Sequence, residues 1–241
     1  MLLQRLETTT MKTSIIKMFD PNLFASYADS FFIKESDNGA DVKEVNFNLP
    51  GGTFEVCTEK LWAASTNLYI KQSGDFSFRR KCDGVVICKK GSHNYIIWIE
   101  LKSGFNQIFS DAIYQIAACY VKMKSYLRNF VAYNPGEYEE MGIVVSFPEN
   151  TPDEKVESNK QVTDRRASLV SQHDTLTDKC RRRYRKSGNI ELLASDFIAS
   201  QQAFVPDIQI QHLPIFHIAA NTAVTNVNLG TVIAQIFGYI P

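Results

Sequence analysis

Two β-rich runs, Asp83 to Lys89 (DGVVICK) and Tyr95 to Leu101 (YIIWIEL), flank Lys90-Gly91-Ser92-His93 and predict a hairpin. Gly91-Ser92 suits a two-residue loop, because glycine accepts the positive φ such loops demand. With those residues at the tip, Lys90 pairs with His93, Ile87 with Ile96, Val85 with Trp98, and Asp83 with Glu100. Directly opposed residues share one face of a sheet, and so does Lys102, two positions beyond Glu100. The other face reads Val86, Ile97, Cys88, Tyr95, Gly84 and Ile99. Both faces are apolar, so the hairpin belongs inside a sheet covered on both sides. Asp83, Glu100 and Lys102 stand at its open end.

Opposed side chains have Cβ atoms about 4.5–5.5 Å apart. Two ionised carboxylates at that spacing repel, and burial strengthens the repulsion. A hard divalent cation offsets it, and oxygen ligands suit Mg²⁺ or Mn²⁺. Such a cation polarises a phosphoryl oxygen and lowers the pKa of a bound water, and Lys102 can orient that water or meet developing charge. The trio thus fits phosphodiester hydrolysis. An ionic cluster at a sheet rim has the same spelling. Two further acid-x-Lys triplets, Asp41-Val42-Lys43 and Asp153-Glu154-Lys155, lie in polar surroundings. The pairing also depends on loop length, since a longer loop separates Asp83 from Glu100.

Around the hairpin the pattern is that of an α/β chain. Pro21 to Phe32 has apolar residues at helical spacing behind a proline suited to a first helical turn. Val45 to Leu49 alternates as a strand, and Pro50-Gly51-Gly52 predicts a turn. Thr53 to Gln72 mixes strand and helix signals. Phe105 to Phe130 predicts a long helix with the stripe Ile108, Ala112, Ile116, Cys119, Met123, Leu127. Gly142 to Phe147 (GIVVSF) predicts a buried strand. Residues 149–189 are highly charged and predict a helical arm or insertion, which separates a core at 1–148 from a C-terminal segment at 190–241. In that segment Ile190 to Phe204 predicts a helix, Leu213 to Ala219 a strand, and Thr231 to Tyr239 an apolar stretch packed on the core.

The five cysteines are odd in number and lack C-x-x-C spacing, which favours free thiols and a cytoplasmic setting. No apolar run is long enough for a membrane span. The net charge is zero, with 26 basic and 26 acidic residues, so polyanion binding requires a local patch. Arg181-Arg182-Arg183-Tyr184-Arg185-Lys186 is one such patch, suited to a phosphate backbone or to a partner protein. Arg79 and Arg80, just before Asp83, are further phosphate contacts in this reading. Trp98 reads as core, and Cys82 as a small buried residue rather than a ligand.

The sequence Asp83-Gly84, followed by Ile99-Glu100-Leu101-Lys102 at the end of an apolar strand and then a helix, resembles the PD-(D/E)xK nuclease superfamily. The match spans roughly residues 80 to 147, with Cys82 where the motif has proline. The resemblance implies a restriction-endonuclease-like core: a helix, a three-stranded meander, a second helix and a further strand, with a mixed central sheet flanked by helices and here a charged helical C-terminal extension. It implies Asp83, Glu100 and the Leu101 carbonyl as Mg²⁺ or Mn²⁺ ligands and Lys102 as the catalytic lysine. Gln115 and Tyr120 resemble a substrate-contacting pair on the second helix, one residue further apart than usual. Glu59 stands where some members add a metal ligand. The implied activity is nucleic-acid cleavage, DNA before RNA, and similar domains serve in defence against phage. A catalytically silent binding or assembly module of the same fold, forming a homo-oligomer or docking a partner through the charged arm, is the alternative.

Overall fold

The computed structural model describes residues 24–35, 39–57, 80–129, 133–148, 175–197, 206–239 and 241. Glu59, Arg79, residues 149–174 and residues 198–204 lie outside them.

The chain is a mixed α/β protein. Among the described residues, eight strands form one mixed sheet. They are β1 (Phe24–Lys34), β2 (Glu44–Cys57), β3 (Gly84–Lys90), β4 (His93–Lys102), β5 (Tyr138–Ser146), β6 (Ile190–Leu193), β7 (His212–Ala219) and β8 (Val224–Asn228). Their order is β1-β2-β3-β4-β5-β7-β6, with β8 parallel to the first half of β2. Strands β1 to β4 form an antiparallel series, β4, β5 and β7 run parallel, and β6 is antiparallel to β7. Parallel neighbours need a crossover. Between β4 and β5 it is a π-helical turn (Ile108–Ala112) running into α1 (Ile113–Leu127). The whole predicted stripe from Ile108 to Leu127 is buried. Helices α2 (Leu176–Ser187) and α3 (Leu229–Phe237) complete the described set. No described helix is long and apolar enough to cross a membrane.

The hairpin has the expected register, from Lys90 opposite His93 to Gly84 opposite Ile99. Val85, Ile96 and Trp98 face α1 in one apolar cluster, while Val86, Cys88, Tyr95, Ile97 and Ile99 face α3 in a second. The hairpin is therefore interior, as its two apolar faces require.

Three local expectations are corrected. Phe24–Lys34 is a strand, not part of a helix: Phe31 and Ile33 turn inward while Phe32 is exposed, and pairing with β2 supplies the backbone bonds. Apolar spacing in so short a run fits either period, and the neighbouring strand decides. Pro50-Gly51-Gly52 does not end β2. It forms an irregularity opposite Asp29, where Gly51 (φ 71°) donates its amide to Asp29 Oδ1 at 2.5 Å and the strand runs on. Ile190–Leu193 is a strand followed by a 3₁₀ turn at Ala194–Asp196, because pairing with β7 buries Ile190 and Leu192.

The described end of the charged stretch is a docked helix. A Thr175–Asp178 capping box opens α2, and left-handed Gly188 closes it. Cys180 is buried beneath it, Thr177 donates to the Phe109 carbonyl at 2.8 Å, and Tyr184 packs on Phe105 and Phe109.

Candidate active site

Because β4, β5 and β7 are parallel, their carboxyl ends share one edge of the molecule, the edge where open α/β sheets bind ligands. Lys102 ends β4 beside Ser146 of β5. Asp83 immediately precedes β3. Its Oδ2 accepts the Leu101 amide at 2.7 Å, in place of the ladder partner that β3 no longer offers. A strand residue directs its N–H and C=O to the same edge. The Leu101 carbonyl therefore faces the edge where Asp83 lies.

Glu100 is 1% exposed. Burial, and next the negative charge of Asp83, raise its carboxyl well above the usual range, against the pull of Lys102. The Lys102 ammonium lies 2.6 Å from Glu100 Oε1, and among the described residues Oε2 has no hydrogen-bond partner. Burial works against the Lys102 charge, but Glu100 and Asp111 outweigh it and hold the ammonium above its ordinary pKa.

Asp111 was not foreseen from the sequence. It sits in the π-helical turn, 2.8 Å from Lys102 through Oδ2, and accepts from Arg80 at 2.6 Å through Oδ1. It follows Lys102 by nine positions in the chain, and no motif spacing flags it. Ser146 was also missed. Its hydroxyl meets His217 Nε2 at 3.0 Å, and burial pushes the imidazole down to about 4.

The remaining predicted residues divide by what they touch. Arg80 stands by the site, bound to Asp111 and lying over the Tyr114 ring at 5.2 Å. Gln115 donates to the Lys81 carbonyl at 2.8 Å and so fixes the segment entering β3. Tyr120 lies inside the core, 4.8 Å from the Trp98 ring, with its hydroxyl on Glu140 at 2.8 Å. Trp98 is fully buried, as expected of a core residue. Cys82 is buried too, its amide donated to Cys119 Sγ at 2.9 Å. On α2, Arg181 covers Phe109 at 5.6 Å, two residues from Asp111, and Arg182 is exposed. Arg183 instead makes a forked pair with the buried Asp196 carboxylate at 2.6 and 2.9 Å.

Comparison with protein-family models, curated proteins and solved structures finds no match to this chain.

Among the described residues no three His, Cys, Asp or Glu side chains converge as a metal cage. The oxygens here whose chemistry suits a hard cation are those of the Asp83 and Glu100 carboxylates and the Leu101 carbonyl, and among the described residues the buried Glu100 Oε2 has no hydrogen-bond partner.

Proposed function

We propose that this protein is a metal-dependent nuclease with a restriction-endonuclease-like core, hydrolysing phosphodiester bonds, with DNA as the first substrate. The observation that carries the reading is a fully buried glutamate that couples to a second acid and touches a lysine, while one of its oxygens lacks a partner. A buried charge without full compensation is costly, and sites that bear such a cost are functional-site candidates.

In this reading Asp83, Glu100 and the Leu101 carbonyl hold Mg²⁺ or Mn²⁺. The cation supplies Lewis acidity toward the phosphate and a more acidic bound water. Lys102 brings a positive charge to the oxygens that gain negative charge during cleavage. Arg80, Arg181 and Arg182 are the candidates for backbone phosphate contacts, since α2 packs on the same turn that carries Asp111. The five free cysteines are all buried and agree with a reducing cytoplasm. Defence against phage is the biological role that the resemblance suggests.

A second reading has one observation in its favour. Lys102 spans Glu100 and Asp111, and Arg80 completes the chain of charges, so the cluster is partly self-neutralised. A catalytically silent module that binds nucleic acid would keep such a cluster. Incubation of supercoiled plasmid and single-stranded DNA with Mn²⁺ separates the two. The nuclease nicks or degrades DNA, and Glu100→Ala and Lys102→Ala remove that activity while binding persists. Binding without cleavage by the native chain, or cleavage retained in Lys102→Ala, refutes the assignment.

A further inference from the structure

The Lys102 ammonium is shared between two carboxylates of different character. Glu100 Oε1 lies at 2.6 Å and belongs to a side chain 1% exposed, while Asp111 Oδ2 lies at 2.8 Å and belongs to one 44% exposed. A dication on Glu100 and an ammonium on the same carboxylate are like charges at close range, and they repel. The ammonium then needs another anion. Asp111 is already within reach, and at a half-exposed position an ion pair requires less desolvation than at a buried one.

The surroundings of Asp111 suit that task. Arg80 holds Oδ1 at 2.6 Å and leaves Oδ2 to Lys102. The Tyr114 ring steadies the Arg80 guanidinium in turn. Asp111 also lies in the Ile108–Ala112 π turn, a widened turn of the kind that recurs at functional sites.

We propose that Asp111 is a positioning residue that takes over the Lys102 ammonium when a divalent cation occupies Glu100, so that cation and lysine are held in one site together. The proposal rests on the nuclease reading for its metal and adds how that metal and the lysine coexist.

Calorimetric titration of the full chain with MnCl₂ tests it, with thermal melts to verify folding. Asp111→Asn weakens Mn²⁺ binding roughly five- to tenfold, because the ammonium stays on Glu100. Asp111→Glu restores the affinity. Lys102→Met binds Mn²⁺ more tightly than the native chain, and in that background Asp111→Asn changes the affinity less than about twofold. If Asp111→Asn does not fold, Asp111→Ser replaces it in both backgrounds. Equal weakening in the two backgrounds makes Asp111 a ligand and overturns the proposal, as does unchanged affinity in Asp111→Asn. Mn²⁺ binding that Glu100→Ala leaves intact, or no binding by the native chain, defeats the nuclease reading and this proposal together.

Discussion

Asp83 is hydrogen-bonded to the Leu101 amide at 2.7 Å, which ties the residue before β3 to the strand segment holding Glu100 and Lys102. The carboxylate serves structure and candidate chemistry at once, so its removal has two separable effects. Asp83→Ala leaves the amide unmatched and costs about 1–2 kcal/mol in urea unfolding. Asp83→Asn keeps an acceptor and recovers most of that loss. Neither variant shows the Mn²⁺-dependent rise in melting temperature expected of the native chain. A rise retained in Asp83→Asn assigns the cation to other ligands.

Glu100 gives a pH signature. Its carboxyl is raised in the fold, by burial first and Asp83 second, so the folded state holds a proton that the unfolded state releases above roughly pH 4.3. This group therefore lowers stability as pH climbs from there through its folded pKa. Each unit of raised pKa is worth about 1.4 kcal/mol. Glu100→Gln is accordingly more stable than the native chain at pH 7 and equal to it near pH 3.5. Denaturant titrations at the two pH values check this. A variant less stable at pH 7 shows that the Lys102 pairing outweighs the buried charge.

His217 has the opposite dependence. Burial lowers its pKa to about 4, so the folded state resists protonation that the unfolded state accepts near pH 6.5. The penalty is absent above pH 6.5 and grows as pH falls to about 4, where it reaches roughly 2–3 kcal/mol. His217→Gln, which can still hydrogen-bond Ser146, removes that slope. An unchanged acid limb in chemical denaturation rejects the account.

The arginines of α2 separate by function. Arg183→Ala removes the forked partner of the buried Asp196 carboxylate, leaves it the Leu193 amide and Lys179 at 3.9 Å, and costs about 1–3 kcal/mol in stability. Arg181→Ala and Arg182→Ala alter stability by less than about 1 kcal/mol. Together those two changes reduce the salt dependence of DNA binding by about two charges. Fluorescence anisotropy across a salt series reads the slope, and an unaltered slope removes α2 from the nucleic-acid surface.

The hairpin was legible because a two-residue Gly91-Ser92 loop between two apolar runs sets its register, and α1 because its stripe spans many turns. The sequence was less informative where a short run suits two periods. Phe24–Lys34 and Ile190–Leu193 read as helix until a neighbouring strand claims their backbone. Asp111 and the Arg183–Asp196 pair were invisible for another reason. Their meaning lies in contacts made by tertiary packing: the π turn aims Asp111 at Lys102, and the docking of α2 brings Arg183 to Asp196. The approach of Asp83 to the strand end that carries Glu100 and Lys102 was legible because one β-turn sets the register that leads there.

Strand β2 carries β8 along its first half and β3 along its second half on the same side. Of the eight described strands, β8 is synthesised last and pairs with β2, the second in chain order. A nascent chain thus holds the Glu44–Asn48 edge without its β8 partner until Asn228 has emerged from the ribosome, and a premature stop before Val224 removes that partner and favours pairing of the edge with other molecules.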